Sequence, residues 1–326
     1  MKDVEEQSGW RVHVDTGGTF TDCLVETPAG ETLRTKVLSR GSLPAEVVDA
    51  DGPDALRIRA PWRAPDDFPN GFALHFGRRP ERTWTVASYQ AEGRRLRLTS
   101  PLGFSPEPEE PVELLSGREA PILAAELALA DYGIRPEEAR RSMRLATTRC
   151  TNALLEGKGS PPVFFVTRGF RDLLRIGDQR RSGLFDLCPR RRKPLHEEVV
   201  EVAERLNERG EVVEPLDLDS VRTRARTLRN QGAEVAAVSL LHSYLNPAHE
   251  LALAACLREE GFETVVTSAS LRPFAKWLPR AESAVVEAYL NPVLRHYLDA
   301  VAADLGGGAL RVMTSAGGLV GKQGYR

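Results

Sequence analysis

Apolar and polar side chains alternate over residues 10–14, the pattern of a half-buried strand, and the run enters a turn at Asp15-Thr-Gly-Gly-Thr19. The alternation resumes over residues 20–26, a turn follows at Pro28 to Gly30, and residues 32–38 read as a third strand. Sequential strands joined by tight turns predict an antiparallel meander. From 41 to 117 the texture changes: prolines are dense and short β-prone runs appear at 55–59, 72–76, 84–89, 96–99 and 112–115, with no helical period. This stretch is read as a small all-β module. The alternative, one irregular loop, is uncommon at such length within a compact domain.

Helical spacing returns over residues 121–132, where Pro121 suits a first turn and Gly133 a C-terminal cap. Residues 144–146 read as a short strand leading into a helix at 152–156, and 163–166 as an apolar strand buried on both faces. Residues 199–216 read as strand, turn and strand. Helices at 218–231 and 248–260 then alternate with strands at 235–240 and 264–267, before a long helix at 281–304 and a last strand at 310–313. Strands alternating with helices of this length indicate an α/β fold. The expected domains are 1–40 joined with 118–200, the inserted β-rich module 41–117, and a further α/β segment, 201–326.

The chain has 326 residues, 41% hydrophobic and 28% charged, an ordinary globular mixture. A formal net charge of -2 gives no electrostatic reason to expect nucleic acid or an acidic membrane as partner. No window approaches the roughly 20 apolar residues of a membrane span, and the acidic N-terminus is not a signal peptide. Cys23, Cys150, Cys188 and Cys256 are scattered without pairs or histidines at metal-ligand spacing, so free thiols in a reducing cytoplasm are expected. His75, His196, His242 and His249 also lack partners at ligand spacing and are read as structural.

Chemistry concentrates in three places. The first is Asp15-Thr16-Gly17-Gly18-Thr19-Phe20-Thr21-Asp22, between two predicted strands. Adjacent glycines let backbone N–H groups approach an anion closely, and the hydroxyls of Thr16, Thr19 and Thr21 add donors. Asp15 is placed to hold Mg²⁺ directly or through water, with Asp22 a lesser metal candidate. A strand, not a helix, follows the glycines, which separates this stretch from the helix-based phosphate loops; a plain polar β-turn is the competing reading. The second is Ala146-Thr147-Thr148-Arg149-Cys150-Thr151-Asn152, which puts hydroxyls and an amide at a strand-to-helix junction. Simple helix capping explains it equally well. A third polar cluster, Arg171, Asp172, Gln179 and Arg180, punctuates an apolar framework or an ordinary surface helix. Thr148, Asn152 and Arg180 are the catalytic candidates.

These stretches occur in an order that resembles the hydantoinase/5-oxoprolinase family, of the ATP-dependent N-methylhydantoinase A type. The series comprises DTGGTFTDCLV, ATTRCTNALLEGKG, the GFRDLLRIGDQRR stretch, ERLNERGEVVEPLD, VSLLHSYLNPAHE, VVEAYLNPVLRHYL and VMTSAGGLV, and it covers nearly the whole chain outside the β module. The resemblance implies an actin-like or sugar-kinase-like (ribonuclease H-like) ATPase fold with the β module inserted. It implies ATP and Mg²⁺ as cofactors, with Asp15, Gly17, Gly18, Thr19 and Thr21 at the phosphates and the metal. The implied reaction is hydrolysis of a cyclic amide such as 5-oxoproline or a hydantoin, its oxygen activated by phosphorylation. A ketone carboxylase of the acetone or acetophenone type is the alternative, and a non-catalytic assembly subunit keeping the fold is a second.

Two departures bear on this. Ala146 stands where the family pattern has histidine before Thr-Thr, and the chain ends after SAGGLVGKQGYR, where the family continues into a second glycine-rich loop. The expectation is therefore an N-terminal portion that binds ATP weakly, is inactive alone, and works with the remainder of the enzyme or a hydantoinase B-type subunit in an oligomer.

Overall fold

In the computed structural model, residues 9–79, 81–135, 141–179, 185 and 193–324 are described. The chain divides into two units, Met1–Asn152 with His296–Arg326, and Ala153–Arg295. The first begins with the expected meander: β1 (Trp10–Thr16), β2 (Phe20–Glu26) and β3 (Thr32–Leu38), paired antiparallel. Side chains alternate across a strand, so Val12, Val14 and Thr16 of β1 are buried with Thr21, Cys23 and Val25 of β2, while Asp15 and Asp22 are exposed on the other face.

Residues 41–117 are all β, as expected. They hold β4 (Ser42–Ala50), β5 (Ala55–Arg59), β6 (Ala73–Phe76), β7 (Thr83–Gln90), β8 (Arg95–Leu98) and β9 (Pro111–Leu115). The order β4-β5-β8-β7-β6-β9 returns to β4, closing a barrel around the fully buried Leu56, Leu74, Phe76, Leu96 and Leu114. Closure removes exposed sheet edges. Strand β4 is absent from the sequence reading because Pro44 argues against a strand. It is tolerated because β4 pairs with β9 only up to Glu46 and with β5 only from Glu46 onward, so at Pro44 only one side of the strand has a paired strand, and its carbonyl accepts from Trp62 Nε1 at 2.8 Å.

Helix α1 (Ala120–Asp131) follows, buried from Ala120 to Leu129 against β2 and β3, with Thr35 Oγ1 donating to Ala124 O at 2.8 Å. Gly133, at φ +78°, ends it as expected, and its N–H donates to Ala130 O. Next come β10 (Arg141–Thr147), parallel to β1, and α2 (Arg149–Glu156).

The second unit is a parallel sheet. Strand β11 (Val163–Thr167) and short α3 (Leu173–Ile176) precede β12 (Glu198–Val202) and the hairpin β13 (Arg205–Leu206) and β14 (Val212–Glu214). Then come α4 (Leu218–Asn230), β15 (Val235–Ser239), α5 (Ala248–Glu259), β16 (Thr264–Thr267), α6 (Ser268–Leu271) and α7 (Trp277–Asp304). The strand order is β12-β11-β15-β16. Every residue of β11 and β15 is buried, because α4 and α5 cover one face through Val221, Leu228, Leu253 and Leu257 and α7 covers the other through Ala281, Val285 and Ala288.

Beyond the carboxyl ends of these strands lies a buried polar network. Glu250 accepts from Leu240 N (2.8 Å), Ser243 Oγ (2.7 Å), Ser268 Oγ (2.6 Å) and Ala269 N (2.8 Å), with Arg280 3.8 Å away. His249 is structural, as expected, but does have a partner: its Nδ1 lies 2.8 Å from Glu204, supplied from 45 residues earlier in the chain. His196 stacks on Phe164 at 5.8 Å, and burial lowers its pKa. An unfolded chain therefore takes up a proton below about pH 6.5 that the folded one refuses, and stability falls as the pH drops through that value. Denaturation midpoints measured across this range are expected to show the loss, and His196→Phe to reduce it.

The first unit is completed by β17 (Leu310–Met313), parallel to β10, and β18 (Leu319–Gly321), antiparallel to β17. Its main sheet thus runs β3-β2-β1-β10-β17-β18. Cys23 and Cys256 are buried free thiols, the former pushed up to about 12 by burial, and Cys188 lies outside the described residues. Among the described residues, no helix is long and apolar enough to cross a membrane.

Candidate functional site

Strand β1 is flanked by β2 on one side and β10 on the other, so the β1–β2 turn and the start of α2 emerge from the same end of the sheet. The turn is closed by Gly17 N donating to Phe20 O at 3.0 Å. The N–H groups of Gly18 and Thr19 donate to no acceptor among the described residues, and both residues are exposed. Neither Gly17 nor Gly18 has a positive φ, so backbone conformation does not select glycine here, and space is tight only at Gly17. A Cβ on Gly17 would stand 3.2 Å from Phe20 O, and one on Gly18 3.4 Å from Asn152 Nδ2.

The second sequence cluster is brought against this turn. Thr148 N donates to Thr16 O at 3.0 Å, and Thr148 Oγ1 donates to the same oxygen at 3.3 Å. Asn152 Nδ2 donates to Thr148 Oγ1 at 3.2 Å. Thr148 therefore does more than cap α2; its hydroxyl ties the helix start to the end of β1. Thr147 Oγ1 serves the helix instead, accepting from Arg149 N at 3.1 Å.

Asp15 and Asp22 are register partners across β1 and β2, with exposed side chains on one face. Like charges placed so oppose the pairing unless compensated. Lys36 compensates Asp22 at 3.1 Å, and no ion pair holds Asp15 among the described residues. Both line a cleft of about 520 Å³ together with His13, Arg34, Arg144 and Met313. Burial lowers the pKa of His13. No group of three or more His, Cys, Asp or Glu able to hold a metal ion occurs among the described residues.

The remaining predicted residues are elsewhere. Thr16 and Thr21 face the interior, where Thr16 Oγ1 accepts from Tyr297 at 3.3 Å and Thr21 Oγ1 bonds Ser39 Oγ at 3.0 Å. Thr19 is exposed at the turn. Arg180 lies outside the described residues. Tyr297, which no local pattern marks as a site residue, reaches the end of β1 from α7 and is 1% exposed.

Residues 109–261 match the hydantoinase/oxoprolinase N-terminal region. The 5-oxoprolinase of Saccharomyces cerevisiae is 37% identical over 210 residues, covering 55% of this chain and 16% of that protein. The chain thus spans about a sixth of the length of this relative. Among solved structures, nucleotide-free acetone carboxylase superposes on 97% of this chain and 37% of its own, with a TM-score of 0.63 and 23% identity. The ATP-dependent caprolactamase from Pseudomonas jessenii covers 96% of this chain and 36% of its own, with a TM-score of 0.57 and 20% identity. These two likenesses concern the fold, a mixed α/β architecture with a large sheet. From the matched region and the 5-oxoprolinase relative, we conclude that residues 109–261 carry a hydantoinase/oxoprolinase N-terminal region.

Proposed function

We propose that this chain is the nucleotide-holding part of an ATP-dependent hydrolase that opens a cyclic amide of the 5-oxoproline or hydantoin type. The observation that carries the reading is the β1–β2 turn, where two N–H groups without acceptors among the described residues stand at a bare glycine tip after the strand that also bears Asp15. Such a tip suits phosphate oxygens. Mg²⁺ keeps several waters and is bound by one or two carboxylates together with substrate phosphates, so a single uncommitted Asp15 fits it. Asp22 fits it less well, being held by Lys36. Gly18 and Thr19 would face phosphate through the backbone, with Gly17, whose N–H closes the turn on Phe20 O, leaving room for it; Thr16 and Thr21 would support the strand ends from below. An actin-like, ribonuclease H-like ATPase fold is the proposed class for the unit that holds the sheet order β3-β2-β1-β10-β17.

The chemistry requires ATP for a physical reason. An amide is stabilised by resonance, and transfer of the γ-phosphoryl group of ATP to its oxygen, with release of ADP, removes that resonance and makes the ring carbon electrophilic. Water would add to this carbon, the ring C–N bond would break with the nitrogen leaving as an amine, and a second water would hydrolyse the resulting acyl phosphate to carboxylate and phosphate. Phosphoryl transfer is mainly positioning and charge neutralisation, within the reach of a backbone cradle, a metal and a hydroxyl or amide donor such as Thr148 or Asn152. The likeness to acetone carboxylase favours a second reading, a subunit of a ketone-carboxylating enzyme. In either case the rest of the enzyme or a hydantoinase B-type subunit would complete an oligomeric, cytoplasmic assembly.

Mg²⁺ is expected to strengthen ATP binding to the wild-type chain, and Asp15→Asn to abolish that gain while ATP alone still binds; equilibrium dialysis with and without Mg²⁺ measures both. An undiminished Mg²⁺ effect in the variant would move the metal away from Asp15. Adding 5-oxoproline, hydantoin, or a ketone with bicarbonate to the chain and its completing subunit separates the two reactions by which one stimulates ATP hydrolysis. Stimulation by none would leave an assembly role.

A further inference from the structure

The segment VVEAYLNPVLRHYL has no part in the function proposed above, yet its last tyrosine is buried directly beneath the site. Tyr297 donates its phenol to Thr16 Oγ1 at 3.3 Å and also interacts with the Thr147 side chain. Thr16 and Thr147 are register partners, the last pair of the parallel strands β1 and β10. One immediately precedes Gly17 and the other immediately precedes Thr148. The guanidinium of Arg149, from the first turn of α2, lies 5.3 Å over the Tyr297 ring. A single hydroxyl thus reaches both strand ends from which the glycine turn and the Thr148 junction spring. Burial raises the phenol's pKa, so it stays a donor at any working pH.

We propose that Tyr297 is a positioning residue for the nucleotide cradle. It holds Thr16 and Thr147 so that the N–H groups of Gly18 and Thr19 are presented to phosphate beside Thr148 and Asn152. This rests on the nucleotide reading of the turn. Without the phenol hydroxyl, Thr16 loses the donor that fixes its side chain, and the turn gains freedom that a bound phosphate must then remove. An ordinary core tyrosine would instead contribute packing through its ring, and Tyr297→Phe keeps the ring.

The test compares Mg-ATP binding by wild type, Tyr297→Phe, Thr16→Val and the double variant, followed by amide shifts, with thermal denaturation of each. Tyr289→Phe, a buried tyrosine two turns earlier on α7, serves as control. Affinity is expected to fall roughly three- to tenfold in Tyr297→Phe, the effect of one hydrogen bond. It should fall no further in the double variant than in Thr16→Val alone, and should be unchanged in Tyr289→Phe. Hydrogen exchange should quicken at residues 16–19 ahead of the rest of the first unit, a local change that general loss of packing does not produce. Wild-type affinity in Tyr297→Phe, or independent losses that multiply in the double variant, would overturn the positioning role while leaving the nucleotide reading intact. No binding by the wild-type chain would overturn both. Should Tyr297→Phe fail to fold, Thr16→Val alone decides, because it deletes the same bond from the other side.

Discussion

Replacing Glu250 by alanine is expected to unfold the second unit under conditions where the wild-type chain is folded. The carboxylate accepts four hydrogen bonds, two of them from the backbone N–H groups of Leu240 and Ala269, and both Glu250 and Arg280 are inaccessible to solvent. Alanine leaves those donors unsatisfied and strands the Arg280 guanidinium, whose pKa burial already lowers. Removing one partner of a buried ion pair costs about 3–5 kcal/mol, a large part of the roughly 5–15 kcal/mol that a domain has to lose. The thermal midpoint should drop by roughly 10 °C or more. Glu250→Gln keeps the volume and one acceptor oxygen and should lose less. A midpoint within a degree or two of wild type for Glu250→Ala would show that the network does not anchor the loop after β15.

The second large effect is expected at Gly159. A Cβ there would stand 2.0 Å from Tyr289 Cε1, 2.2 Å from Cδ1 and 2.5 Å from Cζ, separations that no rotation of a methyl relieves. The ring is 4% exposed, and Ser160 N donates to Tyr289 O at 2.9 Å, so neither ring nor loop is free to withdraw. Overpacking of this kind costs about 3 kcal/mol. Gly159→Ala should therefore shift the denaturation midpoint nearly as far as Glu250→Ala. Tyr289→Leu, which shortens the obstacle, should restore part of the loss when combined with it, and the coupling from the double-mutant cycle measures the overlap. Additive effects would contradict the geometry.

Both residues lie in stretches that carry the family resemblance, GKGS and EAYLNP in one case and SYLNPAHE in the other. Their constraint is structural: a missing side chain makes room for a ring, and a carboxylate holds a loop. Motifs shared across a family need not all mark chemistry, and here several serve to place the strands and helices that bear it.

Much of the secondary structure was legible because it follows local rules. Period-two alternation located β1 and β2, a continuous apolar run located β11, and Pro121 with Gly133 bounded α1. What escaped depended on distant partners. Pro44 conceals β4 until β9, nearly 70 residues on, is seen to pair on one side only. Closure of residues 41–117 into a barrel depends on the same pairing. Within the site, the glycine turn was readable from composition, but the hydroxyls of Thr16 and Thr21, expected to add donors for the anion, face the interior instead. Alternation from the exposed Asp15 places Thr16 on the opposite face, so the interior positions of Thr16 and Thr21 follow from the strand register once it is known. The contact between Thr16 and Tyr297 spans 281 residues of sequence and leaves no local trace.

The central claim is that the β1–β2 turn presents free backbone donors to a nucleotide's phosphates. The most direct measurement is an amide-resolved magnetic-resonance titration of the isotope-labelled chain with Mg-ATP. Saturable shifts are expected at Gly18 and Thr19, with smaller ones at Thr148 and the Asn152 side-chain amide, at weak affinity. Shifts confined to other residues, with Gly18 and Thr19 unmoved at the highest concentration, would contradict it.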